Sequence, residues 1–235
     1  NNIAKIQPTT VCPGYQQPIN KLTDLIRQEM AMSGYTECLT FSLISKEDAI
    51  VKMGNEINDA SLGEFVQIIK AKTHEFQVVR TSLIPGVLKT IDKNQVNPLP
   101  LKLFEISDVV VIDKTTETGA KNKRMLCFAY ANNNSGFEIL QGVLDHLLEN
   151  KLDLKWGDEE KGYIIRPSKE KRFFPDRQAE VIIGGKVMGI FGIINPEVSK
   201  KFGKITFPIS LAELEIEEIF KMIMSGKLLA TKEKK

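Results

Sequence analysis

Apolar residues recur at regular intervals near the start of the chain and predict its first elements. In residues 19–33 they follow helical spacing, and Gly34 provides a stop at the end, so we predict an amphipathic helix there. The next segment, residues 38–43, alternates apolar and polar side chains and predicts a strand. Residues 45–48 resemble a capping box, which predicts a short helix that ends at Gly54.

Strand and helix patterns continue through the middle of the chain. The predicted strands are residues 65–69, 101–112 and 125–131, and the predicted helices are residues 83–94 and 137–150. Pro85 is compatible with the first of these helices only in its first turn. The polar stretch 113–123 contains Gly119 and predicts a hairpin-like connection between the two longer strands.

The last third of the chain returns to strands. The predicted strands are residues 163–166, 179–183, 187–194 and 209–216. Gly184 and Gly185 join two of them in a two-residue turn of the kind that needs positive φ, and Pro196 fits the first position of a short helix. Strands joined by hairpins, with helices gathered among them, predict an α+β domain built on a mostly antiparallel sheet.

Composition and charge narrow the classes of function. Hydrophobic residues make up 42% and charged residues 26% of 235 positions, as in ordinary globular proteins, and the net charge of +2 is too small to drive RNA or membrane binding by itself. Any RNA contact would therefore be local. No apolar run approaches the roughly 18 to 20 residues that span a bilayer, so we predict no membrane association.

The cysteines and the first residues indicate the compartment. Cys12, Cys38 and Cys127 are far apart, odd in number and without a C-x-x-C pair, which predicts neither a disulfide framework nor a zinc site. The chain starts without Met and without a signal-like segment. We therefore expect a piece of a longer cytoplasmic protein.

Patterns that carry chemistry are sparse. His74 and His146 stand outside any metalloprotease or hydrolase motif, so we predict structural or surface roles for both. Glu105 and Asp108 could suggest a metal pair, but a spacing of three places them on opposite faces of a strand. We expect one of these carboxylates to be solvated and the other to cap or bond a turn. The glycines that form neither a dinucleotide fingerprint nor a P-loop, and that hairpin geometry explains, are Gly184, Gly185, Gly189 and Gly192.

A basic loop with two aromatic residues lies at residues 168–177. Its cations are Lys169, Lys171, Arg172 and Arg177. In one interpretation these side chains contact RNA. In the other, the loop is solvated, and Phe173 and Phe174 anchor it to the core.

Several longer motifs resemble one protein family. Residues 173–180 read Phe-Phe-Pro-Asp-Arg-Gln-Ala-Glu, residues 184–189 Gly-Gly-Lys-Val-Met-Gly, and residues 194–198 Ile-Asn-Pro-Glu-Val. In order and spacing they are similar to phenylalanyl-tRNA synthetase β subunits, which show a Pro-Gly-Arg-x-Ala-Glu strand, a hairpin and a His-Pro-Glu-Val segment. The chain departs from that pattern at Asp176, where the family usually has Gly, and at Asn195, where it usually has His.

The resemblance extends upstream to about residue 1. The segments that carry it are Arg-Thr-Ser-Leu-Ile-Pro-Gly-Val-Leu at residues 80–88, residues 98–108, residues 18–25 and residues 34–37. The eukaryotic and archaeal branch of the family is the most similar. The resemblance implies that residues 1–17 end a preceding domain and linker, that residues 18–220 form a catalytic-like domain, and that residues 221–235 are a lysine-rich tail.

The resemblance also implies a fold and an activity. The fold would be that of class II aminoacyl-tRNA synthetases, an antiparallel sheet flanked by helices, inside an (αβ)2 phenylalanine–tRNA ligase that uses ATP and magnesium to charge tRNA(Phe). The chemistry would belong to the α subunit. This chain would be a non-catalytic module that scaffolds the α subunit and a second αβ protomer, and ATP and magnesium would bind through other parts of the enzyme.

The residues themselves agree with a lack of catalysis. Class II enzymes bind the phosphates of ATP with two arginines, because negative charge develops there during activation. The first lies in a Phe-Arg-x-Glu strand, whereas residues 103–106 read Leu-Phe-Glu-Ile. The second begins a helix as Gly-x-Glu-Arg, whereas residues 195–198 read Asn-Pro-Glu-Val. We predict no catalytic, cofactor-binding or metal-binding residue in this chain.

By the same resemblance, residues 19–43 match the first class II motif, which builds the subunit interface. The candidate interface residues are Leu22, Leu25, Ile26, Met30 and Phe41. The alternative is that this stripe faces only the sheet of its own domain. A rival to the scaffold as a whole is a stand-alone amino-acid-binding or nucleotide-binding domain derived from a class II synthetase, against which the missing arginines argue.

Overall fold

The computed structural model describes residues 2–7, 9 and 14–228. Cys12 and the lysine-rich residues 229–235 lie outside the described residues, and so does part of the predicted linker. The strands are β1 (Thr36–Glu37), β2 (Leu43–Ile44), β3 (Val78–Val79), β4 (Leu101–Ile112), β5 (Ala120–Ala131), β6 (Tyr163–Pro167), β7 (Phe173–Ile183), β8 (Lys186–Ile194) and β9 (Ile209–Glu215). The helices are α1 (Pro18–Met32), α2 (Asp59–Gly63), α3 (Ile84–Lys93), α4 (Phe137–Asp145), α5 (Pro196–Phe202) and α6 (Ile216–Met224), with π-helical turns at Glu47–Val51 and His146–Lys151.

Seven of the strands form one sheet in the order β1-β4-β5-β9-β8-β7-β6. Every neighbouring pair is antiparallel except β1 and β4, which run parallel. Strands β2 and β3 form a separate two-stranded sheet. The prediction of an α+β fold with a mostly antiparallel sheet flanked by helices is confirmed.

The two faces of the sheet bury different helices, because side chains alternate along each strand. On one face Phe104 and Phe128 pack against α1, α4 and α6. On the other face Cys127 and Ala129 pack against α3 and α5. The apolar residues of α3 that this second face buries are Ile84, Val87, Leu88 and Ile91, each fully covered. Helices therefore cover both sides of the sheet.

The longest hairpin is longer than its sequence pattern indicates. Strand β4 has the predicted bounds, but β5 begins at Ala120 and not at Met125, so that β4 and β5 pair over twelve residues. The connection is only residues 113–119, closed by a hydrogen bond from Asp113 N to Gly119 O. The polar residues 121–124 hide this part of the strand from pattern analysis, because it is the half of β5 that is not buried.

Two predicted strands are wrong in part. Residues 38–43 do not form a continuous strand: β1 ends at Glu37 and β2 begins at Leu43. Between them the backbone N–H and hydroxyl of Thr40 bond to the Glu105 carboxylate, which replaces the regular ladder. Residues 65–69 make only an isolated bridge, between Gln67 and Val78.

The C-terminal end holds a helix that the sequence pattern did not indicate. Ile216, predicted to end a strand, begins α6, and Ile219 and Met222 follow it on the buried side of that helix. Leu228 is also buried. The structured part therefore continues past residue 220, the boundary expected for the tail. None of the described helices is both long and apolar enough to cross a bilayer.

Candidate functional site

The predicted interface stripe divides between the core and the surface. Ile26 and Met30 are each 1% exposed and pack into the core of their own domain, so the alternative reading of the stripe holds for them. Leu22 is partly buried and packs against the same core. Leu25 is 50% exposed and Phe41 is 71% exposed. Only these last two present substantial free apolar surface.

The segment after β1 exposes further apolar side chains at the edge of the sheet. Its backbone follows β4, since Cys38 N donates to Phe104 O over 2.8 Å. Thr40 points inward to Glu105, so the alternating neighbours Leu39 and Phe41 point outward. Leu39 is 84% exposed, and the Phe41 ring lies 5.2 Å from the Phe76 ring. We call Leu39, Phe41 and Phe76 the apolar edge.

The basic loop is anchored by one aromatic residue and not by two. Phe173 is buried, as predicted, whereas Phe174 is 42% exposed. Arg172 does not reach outward, because its guanidinium pairs with Glu170 over 3.1 Å and borders a cleft beside Glu213. Lys169, Lys171 and Arg177 are exposed. Three of the four predicted RNA-contacting cations are therefore available at the surface.

The departure from the family pattern at residue 176 has a structural consequence. Asp176 adopts φ of 60°, in the left-handed region that favours glycine. A family glycine at this position is thereby explained, since the irregular part of β7 between Phe173 and Gln178 requires positive φ here. Asn195, at the other departure, caps α5: its side chain accepts a hydrogen bond from Glu197 N over 3.0 Å.

A row of two buried carboxylates crosses the centre of the sheet. Glu105 in β4 lies opposite Cys127 in β5, and Cys127 lies opposite Glu213 in β9. Glu105 is 1% exposed and Glu213 is 6% exposed. With strands about 5 Å apart, the backbones of the two residues are about 10 Å apart. We expected one solvated and one capping or turn-bonded carboxylate at residues 105 and 108. Asp108 is the solvated one, since its side chain is 42% exposed beside Arg124. The expectation was wrong for Glu105, which is buried in the sheet and pairs with Arg80.

The carboxylate row holds the segment that leads into α3. The Arg80 guanidinium, 3% exposed, pairs with Glu105 over 2.8 Å and donates to the Thr40 hydroxyl over 2.8 Å. Two residues after Arg80, the Ser82 hydroxyl donates to the Glu213 carboxylate over 2.9 Å. Leu83 N donates to the same carboxylate over 2.7 Å. No pattern in the sequence indicated these contacts. The one local sign of them is the Arg-Thr-Ser-Leu motif at residues 80–83. The carboxylates that Arg80 and Ser82 bind are 25 and 131 residues away in the chain.

Burial is the main cause of the shifted pKa values on this face. It raises the pKa of Glu213, which Arg172 nearby partly counteracts. It also raises the pKa of the Cys38 thiol to about 12 and that of the Cys127 thiol well above its usual range. Both thiols are therefore protonated and poor nucleophiles at neutral pH.

Neither possible position for the second phosphate arginine carries one. Two strands of the last third run into helices, β8 into α5 and β9 into α6. The first turn of α5 contains Glu197, and that of α6 contains Glu217 and Glu218. Both junctions thus present carboxylates, which repel phosphate. On the sheet itself, the first expected arginine is replaced by residues 103–106, whose Phe104 and Glu105 are buried.

The two histidines and the paired glycines have structural or surface positions, as the sequence predicted. His146 Nε2 lies 2.6 Å from Glu29, a carboxylate whose pKa is lowered by hydrogen bonds from Lys151 and from this histidine. His74 is exposed. Gly184 and Gly185 adopt the positive φ that their turn requires. Within residues 2–7, 9 and 14–228, no three His, Cys, Asp or Glu side chains converge to hold a metal ion.

Comparison with known proteins identifies the family of the chain. The model of a protein family described as the phenylalanyl tRNA synthetase beta chain CLM domain matches residues 3–216. The chain is 49% identical over 217 residues to a phenylalanine–tRNA ligase beta subunit from Mus musculus, covering 92% of this chain and 36% of the relative. It is 47% identical over 216 residues to the Homo sapiens protein of the same name, with coverage of 92% and 36%.

A plant relative extends the similarity. The Arabidopsis thaliana protein named phenylalanine–tRNA ligase beta subunit, cytoplasmic, is 38% identical over 231 residues, covering 93% of this chain and 37% of that relative. The chain spans a little over a third of the length of these relatives. From its motifs, its fold and these matches, the chain belongs to the family of phenylalanyl-tRNA synthetase beta chain CLM domains.

Proposed function

We propose that the chain is a non-catalytic, class II-like module of the beta subunit of a cytoplasmic phenylalanine–tRNA ligase, and that it scaffolds the alpha catalytic subunit in an (αβ)2 enzyme. The observation that carries this proposal is the charge on one sheet face. Helices α3 and α5 cover part of that face, and the buried carboxylates Glu105 and Glu213 lie at its centre. Its arginines Arg80 and Arg172 pair with Glu105 and Glu170.

A face whose arginines are already paired with carboxylates is the opposite of what ATP activation requires. The reaction needs fixed positive charge beside the phosphates, in a site that substrates can enter. Here the guanidinium of Arg80 forms an ion pair with Glu105 and is not available to a phosphate. The apolar side of α3 fills the space above β5 and β9. Activation of phenylalanine with ATP and magnesium would then belong to the alpha subunit.

The apolar edge supports a scaffolding role. Leu39 and Phe41 expose most of their side chains although Thr40 between them is fixed to Glu105. Exposed apolar side chains on a rigid segment are typical of protein–protein contacts. Leu25 adds a further exposed apolar residue on α1. We propose that the alpha subunit binds this surface.

Co-purification with the matching alpha subunit tests the proposal. Leu39→Asp with Phe41→Asp should lower recovery of the complex at least tenfold, since two charges would be buried at the contact. The control is Ile69→Asp, because Ile69 is 96% exposed and lies outside the apolar edge. The control should assemble normally.

A catalytic assay completes the test. The chain alone should show no phenylalanine-dependent exchange of pyrophosphate into ATP. Exchange by the chain alone would overturn the proposal, and so would equal recovery of the alpha subunit with the double variant and with the parental chain.

A further inference from the structure

The basic loop is held in one conformation by a buried glutamine. The side chain of Gln178, 7% exposed, accepts from the Ser168 hydroxyl over 2.9 Å and from Glu170 N over 2.6 Å, and donates to Glu170 O over 3.0 Å. Phe173 is buried beneath the loop, and Asn195 N donates to Arg172 O over 3.0 Å. The backbone that carries Lys169 and Lys171 is therefore fixed on both sides.

The charges on this loop are arranged so that two lysines face solvent. Glu170 between them is neutralised by Arg172, the one cation of the loop that forms an ion pair among the described residues. Lys169 and Lys171 border an open cleft of about 580 Å³, and Lys201 of α5 lines its other side. Asp176 and Glu197 also line the cleft. Since Glu170 is paired with Arg172, the three lysines of the cleft outnumber its two remaining carboxylates.

We propose that this cleft, between residues 168–171 and α5, binds the phosphate backbone of an RNA. Lysines on a preorganised loop lose less conformational freedom on binding than lysines on a mobile one. Phe174, 42% exposed, comes three residues after Lys171 in the same loop and can stack on a base. Basic side chains and an exposed aromatic ring on one short segment favour RNA over an acidic protein segment, which has no bases to stack.

The inference rests on the proposed function for the identity of the RNA, which is then the tRNA substrate of the assembled ligase. It does not rest on the apolar edge. Residues 168–171 and the apolar edge lie beside opposite ends of the strand order, next to β7 and β1. Variants in one region should therefore leave the other intact.

The test compares two double variants in the assembled αβ complex. Lys169→Ala with Lys171→Ala should weaken tRNA binding about tenfold and reduce the slope of log affinity against log salt by about two, one for each lost phosphate contact. The control is Lys155→Ala with Lys161→Ala, exposed lysines near the far end of β7 beside Gly185. The control should leave affinity and slope unchanged. The same titrations with the 235-residue chain alone cover the case in which no complex forms.

The outcomes separate the two proposals. Normal recovery of the alpha subunit with weaker tRNA binding supports the inference. Unchanged tRNA affinity and salt slope in the Lys169/Lys171 variant overturn it. Loss of the alpha subunit with unchanged tRNA affinity also overturns it, since the cleft would then bind an acidic protein segment. Failure of the parental chain to capture the alpha subunit overturns the proposed function instead.

Discussion

Replacing Arg80 by methionine should destabilise the domain strongly. The guanidinium is 3% exposed and donates to Glu105, to both oxygens of Thr40 and to Asp108 O. Methionine fills a similar volume but leaves the Glu105 charge buried with Thr40 as its partner. Removing one member of a buried ion pair costs about 3 to 5 kcal/mol, because the remaining charge stays without compensation. We expect a loss in that range.

A double-mutant cycle isolates the ion pair from the packing. Replacing both charges, Arg80→Met with Glu105→Leu, removes the uncompensated carboxylate, and we expect it to recover about 2 kcal/mol of the single-variant loss. The exposed pair of Arg166 and Glu180 provides the control, with the Arg166 side chain 58% exposed. Arg166→Met should cost less than about 0.5 kcal/mol.

Urea unfolding followed by circular dichroism measures the parent, Arg80→Met, Glu105→Leu, the double variant and the Arg166→Met control. The reasoning would be refuted by a loss of less than about 1 kcal/mol in Arg80→Met, or by losses in the double variant that equal the sum of the two single variants. Arg80→Met should also recover less alpha subunit in co-purification, because Arg80 fixes Thr40 between Leu39 and Phe41 of the apolar edge.

Four further variants test other parts of the described structure. Gly86→Ala should destabilise by about 1 to 3 kcal/mol because the new methyl group would overlap the Thr40 side chain, whereas Gly142→Ala, with open space around it, should stabilise by about 0.5 to 1 kcal/mol; thermal unfolding distinguishes them. Burial raises the pKa of Glu213, so its contribution to stability is complete below the unfolded-state pKa of about 4.3 and is lost as pH rises through the folded-state pKa. Glu213→Gln should therefore gain stability relative to the parent between pH 4 and pH 7, and a constant difference in urea unfolding would contradict this. The Tyr163 hydroxyl has one hydrogen for two carboxylate neighbours, so Glu149→Gln should raise stability by about 0.5 kcal/mol in the same assay, and a loss would show that the second carboxylate is needed.

Local patterns identified most of the elements, because their causes are local. Alternation along residues 101–112 gave β4 with its observed bounds, and paired glycines gave the turn between β7 and β8. Helix α6 was missed although Ile216, Ile219 and Met222 have helical spacing, since Ile216 also continues the alternation of β9. One residue can satisfy both patterns, and only packing decides between them.

The carboxylate row could not be predicted, because it depends on pairs distant in sequence. Arg80 and Glu105 are 25 residues apart, and Ser82 and Glu213 are 131 apart. Whether Leu25 or Ile26 faced a partner was equally undetermined, since both belong to one wide apolar stripe. The structure separates them by exposure, 50% against 1%.

The position of β9 has a consequence for how the domain is made. This strand is the last of the described strands, yet it lies between β5 and β8 in the middle of the sheet. During synthesis, β4 with β5 and β6 with β7 and β8 can each pair as hairpins, but they leave two open edges until residue 215 is available. Unpaired edges of this kind invite wrong strands. The nascent domain must therefore stay in two halves, exposed to misassembly, until translation delivers the strand that joins them.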